Sequence, residues 1–128
     1  MLFRKSESPK TQLPQSEREA IVDLLHFCLY ADSHIALKEG EFIADVIDVI
    51  GWETQSSFGS YEARSIASAR AAKESPPTRQ GFLAFAAERL KSAEARALAL
   101  KLCQQLFAID GTEIREASLL AEIRASLA

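Results

Sequence analysis

Hydrophobic residues recur at helical spacing in several separate stretches of the chain. The first stretch places Ile21, Leu24, Leu25, Cys28 and Leu29 at positions i, i+3, i+4, i+7 and i+8, which share one face of a helix. Similar spacing indicates helices that begin near residues 37, 61 and 78, and two more that include residues 95–107 and 119–127. No stretch alternates convincingly at the two-residue period of a strand. The pattern therefore predicts an all-α, single compact domain of about six helices.

Boundary signals accompany these helical stretches. Ser16 and Glu19 have the spacing of a capping box, which would start the first helix. Gly51 is expected to end the second helix in a left-handed conformation. Pro76 and Pro77 are expected to end the third, because proline cannot continue a helix. These signals place a flexible tail at residues 1–14 and a helical domain at residues 15–128.

A few side chains receive individual predictions. His26 lies off the apolar stripe of the first helix and is expected at the surface or its edge. Trp52 follows Gly51 and is interpreted as an apolar plug on the end of the second helix. Phe85 is expected to face inward from the fourth helix. Cys28 and Cys103 fall on apolar stripes and are predicted to be small buried thiols, not a disulfide or a metal pair.

One short pattern occurs twice along the chain. An amphipathic run ends at an Asp, which is Asp32 in the first copy and Asp110 in the second. A small residue and an Ile follow, and Glu39 or Glu116 then opens another amphipathic run. When the copies are aligned on the Asp, apolar residues coincide in the preceding runs. The repeat predicts two helix–loop–helix units that pack together, since each alone would expose an apolar face.

The acidic residues of the repeat have two interpretations. In the structural one, each Asp makes an Asx turn and each Glu faces the positive end of a helix dipole. In the functional one, Asp32, Glu39, Asp110 and Glu116 converge and bind a divalent cation. Oxygen ligands favour Ca²⁺ or Mg²⁺, and His34 would suit a softer ion such as Zn²⁺. The spacing is not that of an EF-hand, and both interpretations stay open.

Composition narrows the classes of function. The 128 residues carry a net charge of −3, which argues against a nucleic-acid binder. No apolar run has the roughly 20 residues needed for membrane insertion. The N-terminus lacks the apolar segment of a signal peptide, so the cytoplasm is the expected location. Leu2 and Phe3 are the early apolar residues of the tail, which either frays or docks these two side chains in a groove.

Signals for catalysis are weak in this sequence. No Ser-His-Asp or Cys-His arrangement stands at a recognisable spacing. The five glycines are scattered and form no phosphate-binding loop. The expected function is therefore non-catalytic, and a protein partner is expected.

The repeated pattern also resembles the TerB-like family, which is linked to tellurite resistance. The likeness lies in residues 30–39, in Ile109–Asp110–Gly111 and around Trp52, and it spans roughly residues 14–127. It implies an all-helical cytoplasmic domain with a role in tellurite or other chemical stress, often beside membrane-associated Ter components. It also implies divalent-metal binding by the four acidic residues of the repeat. The alternative is a helical protein-interaction module whose acidic loops are structural.

Two positions depart from the family's pattern. Ser33 replaces the usual glycine, which makes a left-handed conformation costlier there. The second loop is one residue shorter than the first, so that Glu116 is displaced relative to Glu39 in the alignment. Both departures bear on the metal site more than on the fold.

Overall fold

A computed structural model describes residues 13–30, 37–52, 57–110 and 114–128, with the side chains of residues 37–39, 110 and 114–117 excepted. The described residues form α-helices and contain no strand, so the predicted all-α fold is confirmed. The helices are α1 (Gln15–Tyr30), α2 (Leu37–Ile50), α3 (Phe58–Ala71), α4 (Pro76–Arg89), α5 (Ala93–Asp110) and α6 (Ile114–Leu127). Among these described helices, none has the length and apolar character needed to cross a membrane.

The start of α1 differs from the prediction. The carbonyl of Pro14 accepts hydrogen bonds from the N–H groups of Glu17 at 3.0 Å and Arg18 at 3.1 Å. The helix therefore begins at Gln15, and Ser16 lies inside its first turn. The predicted capping box is wrong, because an N-cap residue must lie outside the helical conformation.

Serine side chains cap α3, α4 and α5. The Ser57 hydroxyl accepts from the Ser60 N–H at 3.2 Å, so α3 begins three residues earlier than predicted. The Ser75 hydroxyl accepts from the Thr78 N–H, and Pro76–Pro77 form the first turn of α4, where a missing N–H costs nothing. Ser92 accepts from the Ala95 N–H at 3.0 Å. A serine hydroxyl thus satisfies a free backbone N–H at the start of each of these three helices.

Gly51 ends α2 as predicted. Its φ is +85°, which lies in the left-handed region where a side chain is strained. Its N–H donates to the Ile47 carbonyl at 2.9 Å and so closes the last turn of the helix. Trp52 follows, and its ring packs edge-on against Phe58 and tilted against Tyr61. The aromatic contact therefore connects the end of α2 to the start of α3.

Helix α1 lies at the centre of the domain. Every residue from 20 to 29 is buried, so this part of the helix is enclosed on all sides. It packs against α2, α3, α4 and α5. His26 is only 1% exposed, which contradicts the predicted surface position. The apolar stripe identified one contact face of α1, but α3 and α4 cover the opposite face as well.

Hydrogen bonds at the N-terminal end of α1 establish which helix ends lie together. The Glu17 carboxylate accepts from the N–H groups of Lys91 and Ser92, so α5 begins beside the start of α1. The Arg96 guanidinium donates to the Leu127 carbonyl at 2.8 Å, so α6 ends there. A Cβ at Gly51 would lie 3.4 Å from the Arg18 guanidinium, so α2 ends there too.

Contacts along α1 give the directions of α3 and α4. Tyr61 contacts Asp23 and Arg70 lies near Tyr30, so α3 runs parallel to α1. Phe82 stacks on Phe27, whereas Arg89 pairs with Asp23, so α4 runs antiparallel to α1. With the shared helix ends, these contacts define six helices that alternate in direction. Both units of the repeat, α1–α2 and α5–α6, therefore turn at the same end of the bundle.

Of the remaining burial predictions, the one for the cysteines is confirmed and the one for Phe85 is wrong. Cys28 and Cys103 are both buried and form no disulfide, as predicted. Phe85 is 55% exposed, so its predicted inward orientation is wrong. Helix α4 buries a narrow face formed by Leu83 and Ala86, and Phe85 lies beside that face.

Candidate functional site

The four predicted metal ligands fall at the end of the bundle where the repeated units turn. Asp32 lies outside the described residues. Glu39, Asp110 and Glu116 belong to α2, α5 and α6, but their side chains lie outside the described part of the chain. Within the described ranges, no group of three or more His, Cys, Asp or Glu side chains is arranged to hold a metal. The predicted carboxylate site thus stays a prediction.

The described residues contain a buried polar cluster centred on Asp23, which sequence reasoning did not identify. Asp23 lies on α1 and is 5% exposed. Its Oδ2 accepts from the Arg89 guanidinium at 2.6 Å. Its Oδ1 accepts from the Ser65 hydroxyl at 2.6 Å and from the Tyr61 hydroxyl at 2.8 Å. A carboxylate from α1 thereby binds donors from both α3 and α4, and the buried charge is paired and hydrogen-bonded.

His26 extends this cluster by one hydrogen bond. Its Nδ1 lies 2.8 Å from the Ser65 hydroxyl oxygen, and its Nε2 lies 3.6 Å from the Glu62 carboxylate. Ser65 has a single hydroxyl hydrogen, which it donates to Asp23. Nδ1 must therefore carry the proton and donate to Ser65, which leaves Nε2 unprotonated in the neutral ring. The contact with Ser65 therefore favours the Nδ1-protonated tautomer of this buried histidine.

The charge state of His26 follows from competing effects. Burial lowers the pKa of His26 below its ordinary value, because a cation loses its hydration in the interior. The negative charges of Glu62 and Asp23 oppose that change but do not outweigh it. His26 is consequently neutral at pH 7, with its unprotonated Nε2 facing Glu62.

Arg89 and Tyr61 close the cluster on its outer side. The guanidinium of Arg89 lies 3.9 Å from the centre of the Phe85 ring, which covers it by a cation–π contact. Exposed Phe85 therefore shields the Asp23–Arg89 ion pair from water. Burial, together with the charge of Asp23, raises the pKa of the Tyr61 hydroxyl. Tyr61 consequently stays a proton donor to Asp23 across the physiological range.

The three residue types of a hydrolytic triad meet in this cluster, but in a different order. In a triad, His lies between the carboxylate and the Ser and removes the proton of the hydroxyl. Here Ser65 lies between Asp23 and His26, and Nδ1 of His26 is a donor to Ser65. All three residues are at most 5% exposed. The arrangement fixes the packing of three helices and does not activate Ser65.

A second feature is an apolar groove between α2 and α5, which we call the α2–α5 groove. It has a volume of about 400 Å³. Asp45 on α2 and Lys101 on α5 stand at its edges, and both are exposed. Its apolar lining is formed by Phe42, Val46, Val49, Ile50, Leu98 and Leu102. A groove of this size accommodates a few apolar side chains.

Comparison with known proteins gives no relative from which to assign either feature. No protein-family model matches this chain. No curated protein and no solved structure matches it.

A sequence signal for the buried cluster existed in α1. Asp23 and His26 are three residues apart, so they share a helix face opposite the apolar stripe. The residues around them, such as Val22 and Phe27, are apolar, so the helix is apolar on nearly every side. A helix of that kind is buried all round. Polar residues within it then require partners from other helices, although the sequence does not name those partners.

Proposed function

We propose that this chain is a TerB-like helical module that holds a divalent cation between the acidic turns of its two repeated units. The resemblance further suggests a cytoplasmic role in the response to tellurite or related chemical stress. The observation that supports the proposal is the common direction of α1 and α5. Because both helices end at the same end of the bundle, the two units turn on the same side of the domain.

The positions of the acidic residues in the helices add to this support. Asp110 is the last residue of α5. Glu39 and Glu116 are each the third residue of their helices, α2 and α6. Carboxylates collected at one end repel one another unless a cation compensates them. Ca²⁺ and Mg²⁺ prefer such oxygen ligands, and Zn²⁺ accepts carboxylate together with imidazole.

Calorimetric titration with Ca²⁺, Mg²⁺, Mn²⁺ and Zn²⁺ tests this proposal. The informative variant is Asp32→Asn/Asp110→Asn, because Asn can make the same local turns as Asp and removes only the charge. We expect one cation to bind the natural chain and to raise its melting temperature, and the double variant to lose both effects. Glu88→Gln, on the exposed surface of α4, is the matched control and should bind normally.

Two results would overturn the metal proposal. One is the absence of heat and of any thermal shift with all four cations at millimolar concentration. The other is equal binding by the natural chain and the double variant, with unchanged helicity by circular dichroism. Either result would leave the acidic turns with a structural role alone.

A second candidate function is a non-catalytic protein-interaction module. The observation that favours it is the α2–α5 groove, since an apolar concavity with charged edges is typical of a surface that binds an apolar segment. A protein partner is compatible with both candidates, and the family resemblance points to membrane-associated Ter components. Titration with cations separates the two, because only the first requires an ion.

A further inference from the structure

We propose that the α2–α5 groove is occupied by the N-terminal segment of the same chain, with the side chains of Leu2 and Phe3 against its apolar lining. The groove is lined by six apolar side chains and has a volume of about 400 Å³. Such a surface is stabilised when apolar side chains exclude water from it. The inference is independent of the cation site.

The position where the segment joins the domain favours this occupant. Leu13 is half-buried and packs against the core at the start of α1. Helix α2 ends and α5 begins at that same end of the bundle, so the groove opens near Leu13. The nine residues between Phe3 and Leu13 span up to about 30 Å when extended. The groove follows α5 from Leu98 to Gln105, a rise of roughly 10 Å, so the segment is long enough.

Charge complementarity also favours the segment. Phe3 is followed directly by Arg4 and Lys5, and Glu7 comes two residues later. The groove presents an acidic edge at Asp45 and a basic edge at Lys101. An extended segment in the groove can therefore set its basic pair towards Asp45 and its Glu towards Lys101.

Because the N-terminal segment is covalently connected to the domain, a shallow groove is sufficient for it to dock. A tethered segment is present at an effective concentration on the order of millimolar, so docking needs only a weak intrinsic affinity. A separate partner would have to supply that affinity from its own contacts. Two apolar side chains and one or two exposed ion pairs give only a weak intrinsic affinity, which is enough for a segment that is covalently connected to the domain.

The test is nuclear magnetic resonance of the full chain with labelled methyl groups. We expect nuclear Overhauser effects from the Phe3 ring to the methyl groups of Val46 and Leu102. Leu2→Ser/Phe3→Ser should abolish them and shift the resonances of the groove methyl groups. Thr11→Ser, in the same segment, is the control and should change neither.

A pair of groove variants tests the other side of the contact. Val49→Asp places a charge in the lining and should release the segment, so that the Phe3 effects are lost. Ala97→Asp places the same charge on an exposed position of α5 and should leave them intact.

Three outcomes would overturn the inference. The first is the absence of Phe3 contacts together with unchanged groove resonances in the Leu2→Ser/Phe3→Ser variant. The second is the appearance of the contacts only between differently labelled copies, with a dimer in sedimentation, which would make a second copy the occupant. The third is persistence of the contacts in Val49→Asp, which would place the segment elsewhere.

Discussion

The two sides of α1 are held by different kinds of contact. Towards α3 and α4, the helix presents Asp23 and His26, and the contact is a chain of hydrogen bonds with one ion pair. The opposite face of the helix carries the apolar stripe, which includes Leu25 and belongs to the hydrophobic core, and α1 also packs against α2 and α5. The same helix thus has a polar and an apolar interface, both of them buried.

The difference shows how a helix with few large apolar side chains is held in the domain. Helix α3 buries only Ser65 and Ala69, so apolar packing alone would fix its position poorly. Hydrogen bonds from Tyr61 and Ser65 to a single carboxylate require one rotation and one register of α3. The apolar interface depends on total volume and tolerates exchange between side chains of similar size. We therefore expect the polar interface to specify the position of α3 more strictly than apolar packing would.

Removing Asp23 should have the largest effect. Asp23→Ala leaves the guanidinium of Arg89 without its counter-ion and two hydroxyl donors without their acceptor. We expect the free energy of unfolding to fall by about 3–5 kcal/mol, measured by urea denaturation. Glu88→Ala, on the exposed face of α4, is the control and should change it by less than about 0.5 kcal/mol.

Asp23→Asn sharpens the same comparison. The side chain keeps its size but loses its charge, so the ion pair with Arg89 is lost and most of the destabilisation should remain. A loss below about 1 kcal/mol in both Asp23 variants would contradict the specificity role, since it is the size expected of one ordinary hydrogen bond.

On the apolar side, Leu106→Ala should have the next largest effect. Leu106 on α5 is fully buried, and its truncation leaves a cavity that costs about 2–5 kcal/mol in unfolding free energy. Leu106→Met conserves volume and should cost less than about 1.5 kcal/mol. Urea denaturation of both variants measures the contrast with Asp23→Asn. Equal losses of unfolding free energy in Leu106→Met and Leu106→Ala would show that the apolar interface tolerates side-chain exchange no better than the polar one.

The pH dependence of stability should give the smallest effect, and it isolates the polar side. The pKa of His26 is lower in the folded state than its ordinary value of 6.5, because burial disfavours the cation. Well above pH 6.5, His26 is neutral in both the folded and the unfolded chain and contributes no pH dependence. As the pH falls below it, the unfolded chain binds the proton and the folded chain does not. Stability should then fall with decreasing pH, down to the pKa of the folded state.

Urea denaturation between pH 8 and pH 5 measures this dependence. Subtracting the stability of His26→Gln from that of the natural chain removes the contributions of titrating groups that do not interact with His26. The difference should be constant above pH 7 and should change in favour of the variant as the pH falls. A difference that does not change with pH would contradict the neutral state of His26 in the fold.

The sequence alone determined the helical character of the part of the chain that the structure describes. Helical spacing indicated helices and no strand, and local chemistry indicated the left-handed stop at Gly51. These features follow from interactions within a few residues, which the sequence displays directly. The Ser16 cap was wrong because several residues near a helix start offer an acceptor, and Pro14 supplies it here.

Only the tertiary structure decided which faces of the helices meet. The apolar stripe of α1 did not reveal that α3 and α4 enclose its other face, so His26 was expected outside. Asp23, Ser65 and Arg89 come from three different helices, and no spacing along the chain relates them. Their contact depends on the alternating helix directions, because long-range packing, and not local propensity, places distant residues side by side. For the same reason, the common end of the repeated units became visible only in the assembled bundle.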